Sequence, residues 1–331
     1  MAPWSGNRRK SSSRKVGAQV TAPLPLMLYK SLDDITLPTS WLTIGVFDGI
    51  HRGHQEIIRR LVGGAHGTGV PAIVLTFSPH PAVVLGGQPH FKRLTTPIER
   101  AEILEDLGAD AVIIHPFTRE LAEQTAESFM RYVKSRIGLH RLLVGYDFAL
   151  GRGREGNAAR LAEIGRETGY DVETVPAFSI SGEIISSTRI RQRISSGQVA
   201  EAAADMGRFY TICGPVVHGD GRGRKINIPT ANIEIPEDKI LPANGVYACW
   251  AWVKGEKHRA VTNVGIRPTF KSNNLGANIE THILNFDREL YGLQIKLEFV
   301  SRLRQEMRFP SVEALVTQIT KDIARAREIL V

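Results

Sequence analysis

The stretch from Trp41 to Val62 constrains the fold more than any other part of the chain. Trp41 to Phe47 is an apolar run of strand length that breaks at Asp48-Gly49, a turn signal. Ile57, Ile58, Leu61 and Val62 then recur at helical spacing. Strand, tight turn and helix follow in the order that opens a parallel α/β sheet. His51 and His54 are three apart and share one face of the incoming turn, beside free backbone N–H groups and the positive end of the helix dipole. Gly49 and Gly53 let a ligand approach the backbone. The combination suits a polyphosphate, whose oxygens can accept hydrogen bonds from the imidazoles. Alone, a His pair at this spacing is equally a surface coincidence or half of a metal site, although the further ligands a metal site wants are not evident.

Strand and helix signals go on alternating. Val70 to Phe77, Ala111 to Ile114, Arg141 to Val144 and Asp171 to Val175 read as further strands of the sheet. Thr96-Pro97-Ile98-Glu99 reads as a capping box with Pro at the first helical position, ending near Leu107 with Gly108 as C-cap, and Thr125 caps a helix to about Ile137. Open sheets of this kind bind ligands at the carboxyl ends of their strands. That draws attention to Thr76 to Pro81, with Pro79 and His80, and to Gly145 to Arg154, with Asp147 and Phe148. Ser186, Ser187, Thr188 and Arg191 open another helix, where hydroxyls and a guanidinium one turn in can contact phosphates. Taken alone, that segment is better explained as an ordinary N-cap with a solvated Arg.

After a short Ala-rich helix, Gln198 to Met206, the pattern changes. Short β runs, Tyr210 to Val217, Val246 to Val253, Ala260 to Val264, Ile279 to Asn285 and Ile295 to Val300, follow one another between Gly, Pro and Asn. They read as an antiparallel, barrel-like module. A closing stripe, Val312, Leu315, Val316, Ile319 and Ile323, reads as a helix packed on the barrel. Residues 218–225 form a Gly-rich basic loop in which Gly219, Gly223 and Lys225 suit a nucleotide triphosphate, although it does not match the P-loop pattern. Pro229, Thr230 and Asn232 follow. The Thr hydroxyl and Asn carbonyl, two apart on an extended segment, point the same way and are hard oxygen ligands suited to Mg²⁺ with phosphate. Glu280, alternating with apolar neighbours, is either a surface carboxylate or a base for a primary alcohol.

Composition narrows the rest. The 331 residues suffice for two domains, and no apolar run approaches the roughly 20 residues of a membrane span. Two cysteines, Cys213 and Cys249, make no Cys-x-x-Cys pair, so the default compartment is a reducing cytoplasm. The net charge of +8 owes five of its cations to Arg8, Arg9, Lys10, Arg14 and Lys15, in a tail expected to be disordered over residues 1–22. The remainder fits an enzyme of anionic small molecules better than a nucleic-acid surface. Neither a nucleic-acid nor a membrane partner is expected, while homo-oligomerisation is compatible with the sequence.

Together these motifs resemble the bacterial bifunctional riboflavin kinase/FAD synthetases. In the first half the resemblance lies in the Phe-Asp-Gly turn followed by His-x-Gly-His, Thr76 to Pro81, Leu94 to Pro97, Gly145 to Phe148, and Ser186 to Arg191. In the second it lies in Pro229-Thr230-Ala231-Asn232, Gly245 to Ala248, Asn263 to Phe270, Glu280-Thr281-His282, Leu290-Tyr291-Gly292 and Leu303 to Phe309. It spans roughly Leu28 to Leu330. It implies a Rossmann-like nucleotidylyltransferase domain over residues 23–207 and an antiparallel β-barrel kinase domain with a terminal helix over residues 208–331. It also implies phosphorylation of riboflavin to FMN by ATP, and adenylylation of FMN to FAD with release of pyrophosphate, both with Mg²⁺. In the adenylyltransferase, Gly45, Phe47, Asp48, Gly49, His51, His54, Ser187, Thr188 and Arg191 then hold ATP, with His51, His54 and Arg191 catalytic, and Pro79, His80, Asp147 and Phe148 hold flavin. In the kinase, Gly219, Gly223, Lys225, Pro229, Thr230 and Asn232 hold ATP, Thr230 and Asn232 the metal, Arg304 and Phe309 the flavin, and Glu280 is the base. The chain departs from the family pattern at Leu150, usually aromatic, and at Asn227, usually Gly. Asn tolerates positive φ best among non-glycine residues. A kinase half weakened by Asn227, leaving only the adenylyltransferase active, is the alternative.

Overall fold

The computed structural model describes residues 27–86, 91–219, 221, 223, 226–268 and 275–331, with the backbone alone at 266–268 and 275–277. The tail over residues 1–22 and Lys225 lie outside the described residues.

Six strands form one parallel sheet: β1 (Met27–Tyr29), β2 (Ser40–Ile44), β3 (Ala72–Ser78), β4 (Ala111–Pro116), β5 (Leu139–Gly145) and β6 (Asp171–Val175), in the spatial order β1-β4-β3-β2-β5-β6. The strand period of two sends alternate residues to opposite faces. Trp41 joins Val74, Val112 and Leu143 under α1 (Arg52–Gly67) and α2 (Pro97–Asp106). Leu42 and Ile44 join Ile73 and Leu75 under α3 (Ala126–Ile137) and α4 (Ala158–Thr168). Chain order reverses between β2 and β5, which opens a crevice at their carboxyl ends.

The capping box at Thr96 is present, with Thr96 N–H donating to Glu99 and Glu99 N–H to the Thr96 hydroxyl. Strand β2 is shorter than its apolar run. It ends at Ile44, because Phe47 turns into the left-handed region at φ 50° and folds its ring back against Gly45, where a Cβ would lie 2.8 Å away.

The second half closes into a barrel of β7 (Tyr210–Val217), β8 (Ala231–Ile233), β9 (Gly245–Val253), β10 (Glu256–Pro268), β11 (Leu275–Ile283) and β12 (Gln294–Arg304), in the order β7-β8-β11-β10-β9-β12. Tyr210, Tyr247, Cys249, Val264, Ile279 and Phe299 help fill its interior. Two helices of the connecting segment, α5 (Ser187–Ser195) and α6 (Val199–Met206), share that core through Ile190, Ile194, Val199 and Met206. Full burial of an Ile side chain stabilises by about 1.5–3 kcal/mol, so Ile190 and Ile194 tie α5 firmly to the barrel. The final helix, α7 (Val312–Ile329), packs through Ile323, Ala326, Ile329 and the following Leu330 against Val246, Ala248 and Val261 on the barrel's outside. Its expected stripe is only partly used. Val312, at the stripe's start, is 56% exposed, so the helix docks by its C-terminal half.

Candidate active sites

The β2–α1 loop is held by a buried carboxylate. Asp48 accepts from Leu94 N–H at 3.0 Å, from Thr95 N–H at 2.9 Å and from the Thr95 hydroxyl at 3.1 Å. Arg191, one turn into α5, donates to its other oxygen at 2.6 Å. Burial alone would raise the Asp48 pKa, but the Arg191 charge and the two backbone donors more than offset it and hold the group ionised below the usual carboxylate range. Ser187 donates to the Asp48 backbone carbonyl at 2.7 Å, so its hydroxyl is engaged, and the cap of α5 is Ser186. Thr188 is exposed in the first turn of that helix.

At position 49 the fold itself demands glycine. Its φ is 81°, and a Cβ there would lie 2.7 Å from Leu94 Cδ1. Gly53 has a similar restraint, since its Cβ would sit 3.2 Å from the His51 ring.

His51 is the N-cap of α1. Its Nδ1 accepts from the His54 N–H at 3.4 Å, so one of the helix-end donors expected to be free is already used. In the neutral ring this leaves the proton on Nε2, making it a donor toward the crevice. The two imidazoles stack with centroids 3.7 Å apart. Burial pushes the His51 pKa down to about 4, helped by Arg208 and opposed by Asp48. Burial also pushes His54 well below the ordinary value, with His51 and Arg208 adding to it. Both are therefore neutral near pH 7.

The cleft of about 210 Å³ that they face is also lined by Gly145, Asp147, Phe178 and Ser187. His80 and Arg191 both contact Phe91. The His80 ring centroid is 4.0 Å from that of Phe91, and Phe91 in turn lies 4.6 Å below the Arg191 guanidinium. Thus Pro79 and His80 at the end of β3 approach the site from the Arg191 side, and Asp147 approaches from the end of β5. Phe148, partly buried, packs with Leu150 against the core under α3 and α4. Leu94, Thr95 and Phe91 were not assigned roles from sequence. The Leu-Thr-Thr-Pro motif at residues 94–97 was the signal available for the first two.

On the barrel, pairing register builds the second site. Asn232 on β8 stands opposite Glu280 on β11, and Glu280 stands opposite Asn263 on β10. The three side chains therefore share the outer face of adjacent strands. Asn278 donates to Glu280 Oε1 at 2.8 Å. His282 Nδ1 lies 2.8 Å from the Pro229 carbonyl, which can only accept, so His282 anchors the segment that carries Thr230 into β8. Gly219 presses on Asn232, where a Cβ would lie 2.1 Å from Nδ2. At Gly223 a Cβ would lie 2.2 Å from the Ile228 carbonyl and 3.4 Å from the Thr230 hydroxyl. Asn232 Oδ1 is buried without a hydrogen-bond partner among the described residues. An orphaned carbonyl oxygen beside a Thr hydroxyl fits a hard divalent cation. No cluster of three or more His, Cys, Asp or Glu suited to a metal occurs among the described residues. Phosphate oxygens would then have to complete the coordination.

Arg304 is committed elsewhere. Its Nε lies 3.0 Å and its Nη2 2.8 Å from Asp322 of α7, which Gln318 also contacts. The half-buried Phe309 ring lies 5.7 Å from its guanidinium. Asp322 adjoins Ile323 of the apolar stripe, and no local pattern singles it out. Asn227 takes φ 58°, the left-handed conformation that Asn tolerates.

Two family models match the chain: FAD synthetase over residues 35–189 and riboflavin kinase over residues 206–330. A bifunctional riboflavin kinase/FMN adenylyltransferase of Listeria monocytogenes is 36% identical over 282 residues, 85% of this chain and 89% of that protein. The protein so named from Escherichia coli K12 is 36% identical over 289 residues, 87% and 91% of the two chains. A solved structure from Streptococcus pneumoniae, described as a macrolide-efflux protein, superposes with a TM-score of 0.83 at 32% identity over 91% of this chain and 98% of its own. The efflux description belongs to that protein; among the described residues of this chain no helix is long and apolar enough to cross a membrane.

Proposed function

Because the chain belongs to the bifunctional riboflavin kinase/FMN adenylyltransferase family, we propose a division of labour between its two sites. The enzyme phosphorylates riboflavin with ATP to give FMN, and transfers AMP from a second ATP to FMN to give FAD and pyrophosphate. We place adenylylation in the β2/β5 crevice. An FMN phosphate oxygen attacks the α-phosphorus of ATP, and the bond to the bridging oxygen breaks as pyrophosphate leaves. No protein nucleophile is needed, so the residues position the groups and neutralise charge. His51 Nε2–H and His54 donate to the phosphate oxygens as neutral groups. Arg191, aimed by Asp48, supplies the fixed positive charge. The observation that carries this assignment is the convergence of the imidazole pair and the N-terminus of α5 on one cleft at the sheet's switch point.

We place phosphorylation on the outer face of the barrel. Glu280, set between Asn232 and Asn263, accepts the proton of the flavin's primary hydroxyl as that oxygen bonds to the γ-phosphorus, the bond to the β,γ-bridging oxygen breaks and ADP leaves. Thr230 and Asn232 would hold Mg²⁺ with the ATP phosphates, where the ion offsets charge on those oxygens. With Arg304 ion-paired to Asp322, its part is to shape the flavin side near Phe309 rather than to offer a free charge. The division of the chain at 207/208, a cytoplasmic location, independence of nucleic acid and assembly with further copies belong to the same proposal. Nothing at Asn227 supports a weakened kinase.

The test is a time course with riboflavin, ATP and Mg²⁺. FMN should appear first and FAD after it. His51→Ala with His54→Ala should stop FAD formation and spare FMN, and Glu280→Ala should stop FMN formation while supplied FMN is still adenylylated. FAD formation by the double His variant, or FMN formation by Glu280→Ala, removes the corresponding assignment.

A further inference from the structure

The crevice of the first unit is braced from the second. Residues 236–241, between β8 and β9, lie against residues 91–95, which also furnish the donors to Asp48. Arg93 N–H donates to the Asp238 carbonyl at 2.7 Å, and Ile240 N–H donates to the Arg93 carbonyl at 2.9 Å. Arg93 and Lys239 form an isolated parallel bridge, which fixes residues 91–95 against the loop between β8 and β9. Lys239 itself is 2% exposed. Its ammonium donates to the Leu94 carbonyl at 2.8 Å and to Glu99 at 2.6 Å, and it lies 5.1 Å from the Tyr210 ring centroid. The Leu94 residue whose carbonyl takes Lys239 offers its N–H to Asp48, and Asp48 aims Arg191.

A buried ammonium is costly unless every donor is used, and a long flexible side chain pays heavily in rotamer entropy to be held there. An apolar residue would fill the same space without either cost. What Lys239 adds is direction: a charged donor fixes one carbonyl and one carboxylate, and both belong to the other unit. Glu99 is already the capping-box residue at the start of α2, so the same ammonium locks the helix start and the peptide before it.

We propose that Lys239, a residue of the barrel unit, is a positioning residue for adenylylation, holding the Leu94–Thr95 segment so that Asp48 can aim Arg191 at the ATP phosphates. The inference rests on placing adenylylation in the β2/β5 crevice. Lys239 is remote in role from Thr230, Asn232 and Glu280, none of which it contacts, so riboflavin phosphorylation in the same molecule is an internal control for folding.

The experiment compares full-length wild type, Lys239→Met and Lys239→Arg in both reactions, with kcat and KM resolved for FMN and ATP. Lys239→Met should lower kcat/KM for adenylylation at least tenfold, mostly in kcat, with the kinase rate within twofold of wild type. Lys239→Arg should recover part of the loss. Unchanged adenylylation in Lys239→Met, or a parallel fall in both activities, overturns the proposal. Should Lys239→Met not yield folded protein, Lys239→Gln decides by the same criteria, since it keeps a neutral donor for the Leu94 carbonyl and lacks the charge. The His51→Ala, His54→Ala variant separates the premise from the inference. If it still makes FAD, the crevice assignment is wrong; if it is inactive while Lys239→Met is unimpaired, only the role of Lys239 is.

Discussion

Asp48→Asn tests whether the buried carboxylate works by aiming Arg191. Asp48 is 3% exposed, and the Arg191 side chain is 19% exposed. An Asn that keeps its carbonyl on the Leu94 and Thr95 donors must place its NH₂ where Arg191 now donates, so two donors face each other across 2.6 Å. Removing one partner of a fully buried pair costs about 3–5 kcal/mol. Arg191 can recover some hydration, and it keeps its Nε bond to the Lys92 carbonyl and its contact with Phe91. The lost aiming is therefore worth about 2 kcal/mol, which corresponds to roughly 30-fold in rate. Adenylylation of supplied FMN should fall by about that factor in kcat/KM, with riboflavin phosphorylation unaffected. Because the pair acts as a unit, Asp48→Asn with Arg191→Ala should be no worse than Arg191→Ala alone. A loss under threefold in Asp48→Asn, or a double variant whose losses multiply, refutes the reasoning.

Protonation of His51 should make the fold acid-sensitive. Its folded pKa lies below its ordinary value of 6.5, so the unfolded chain binds the proton more readily, and stability is full above pH 6.5 and drains away as pH falls toward about 4. The difference is worth about 3 kcal/mol, so the urea midpoint should drop between pH 7 and 4.5, with His51→Gln removing part of the slope; a midpoint flat over that range refutes this. Gly219→Ala places a methyl 2.1 Å from Asn232 Nδ2 and should cut the kinase rate at least tenfold while sparing adenylylation, an expectation that fails if the kinase stays within twofold. Asn232→Ala should raise the Mg²⁺ concentration needed to half-saturate the kinase about tenfold; an unshifted magnesium titration removes Asn232 from the metal site.

The sequence made legible those features that local rules govern. The strand, turn and helix at residues 41–62 follow from periodicity and a Gly turn, and the Thr96 capping box needs only four adjacent residues. The barrel follows from short β runs between turn residues. What stayed hidden depends on residues far apart in the chain. Asp48 meets Leu94 and Thr95 46 and 47 residues on, and Arg191 143 residues on. Arg304 meets Asp322 across the space between a strand and a helix whose stripe looked merely apolar. No periodicity encodes such pairs, because each is made by packing and then selected by the need to satisfy a buried charge. The packing around Gly49 was hidden for the same reason. The positive φ is local and was legible in kind, while the Leu94 side chain against it is not.

The two sites also differ in what supports them. Asn232, Glu280 and Asn263 are set by the register of three barrel strands, and His282 ties the Thr230 segment to the same sheet. That register lies within the barrel. The crevice is different. Its sheet supplies His51 and His54, but α5 shares its apolar core with the barrel through Ile190 and Ile194. Arg208, at the start of the barrel unit, donates to the Gly49 carbonyl at 2.8 Å and to the Ile50 carbonyl at 3.3 Å. Gln55 bridges the Ile50 carbonyl to that of Met206 at the end of α6. The β2–α1 loop is thus fastened on two sides by groups whose own positions depend on the barrel. Local loosening of the barrel unit should therefore degrade adenylylation before local loosening of the sheet degrades phosphorylation, because a network of short polar contacts loses its aim over displacements that an apolar core still tolerates.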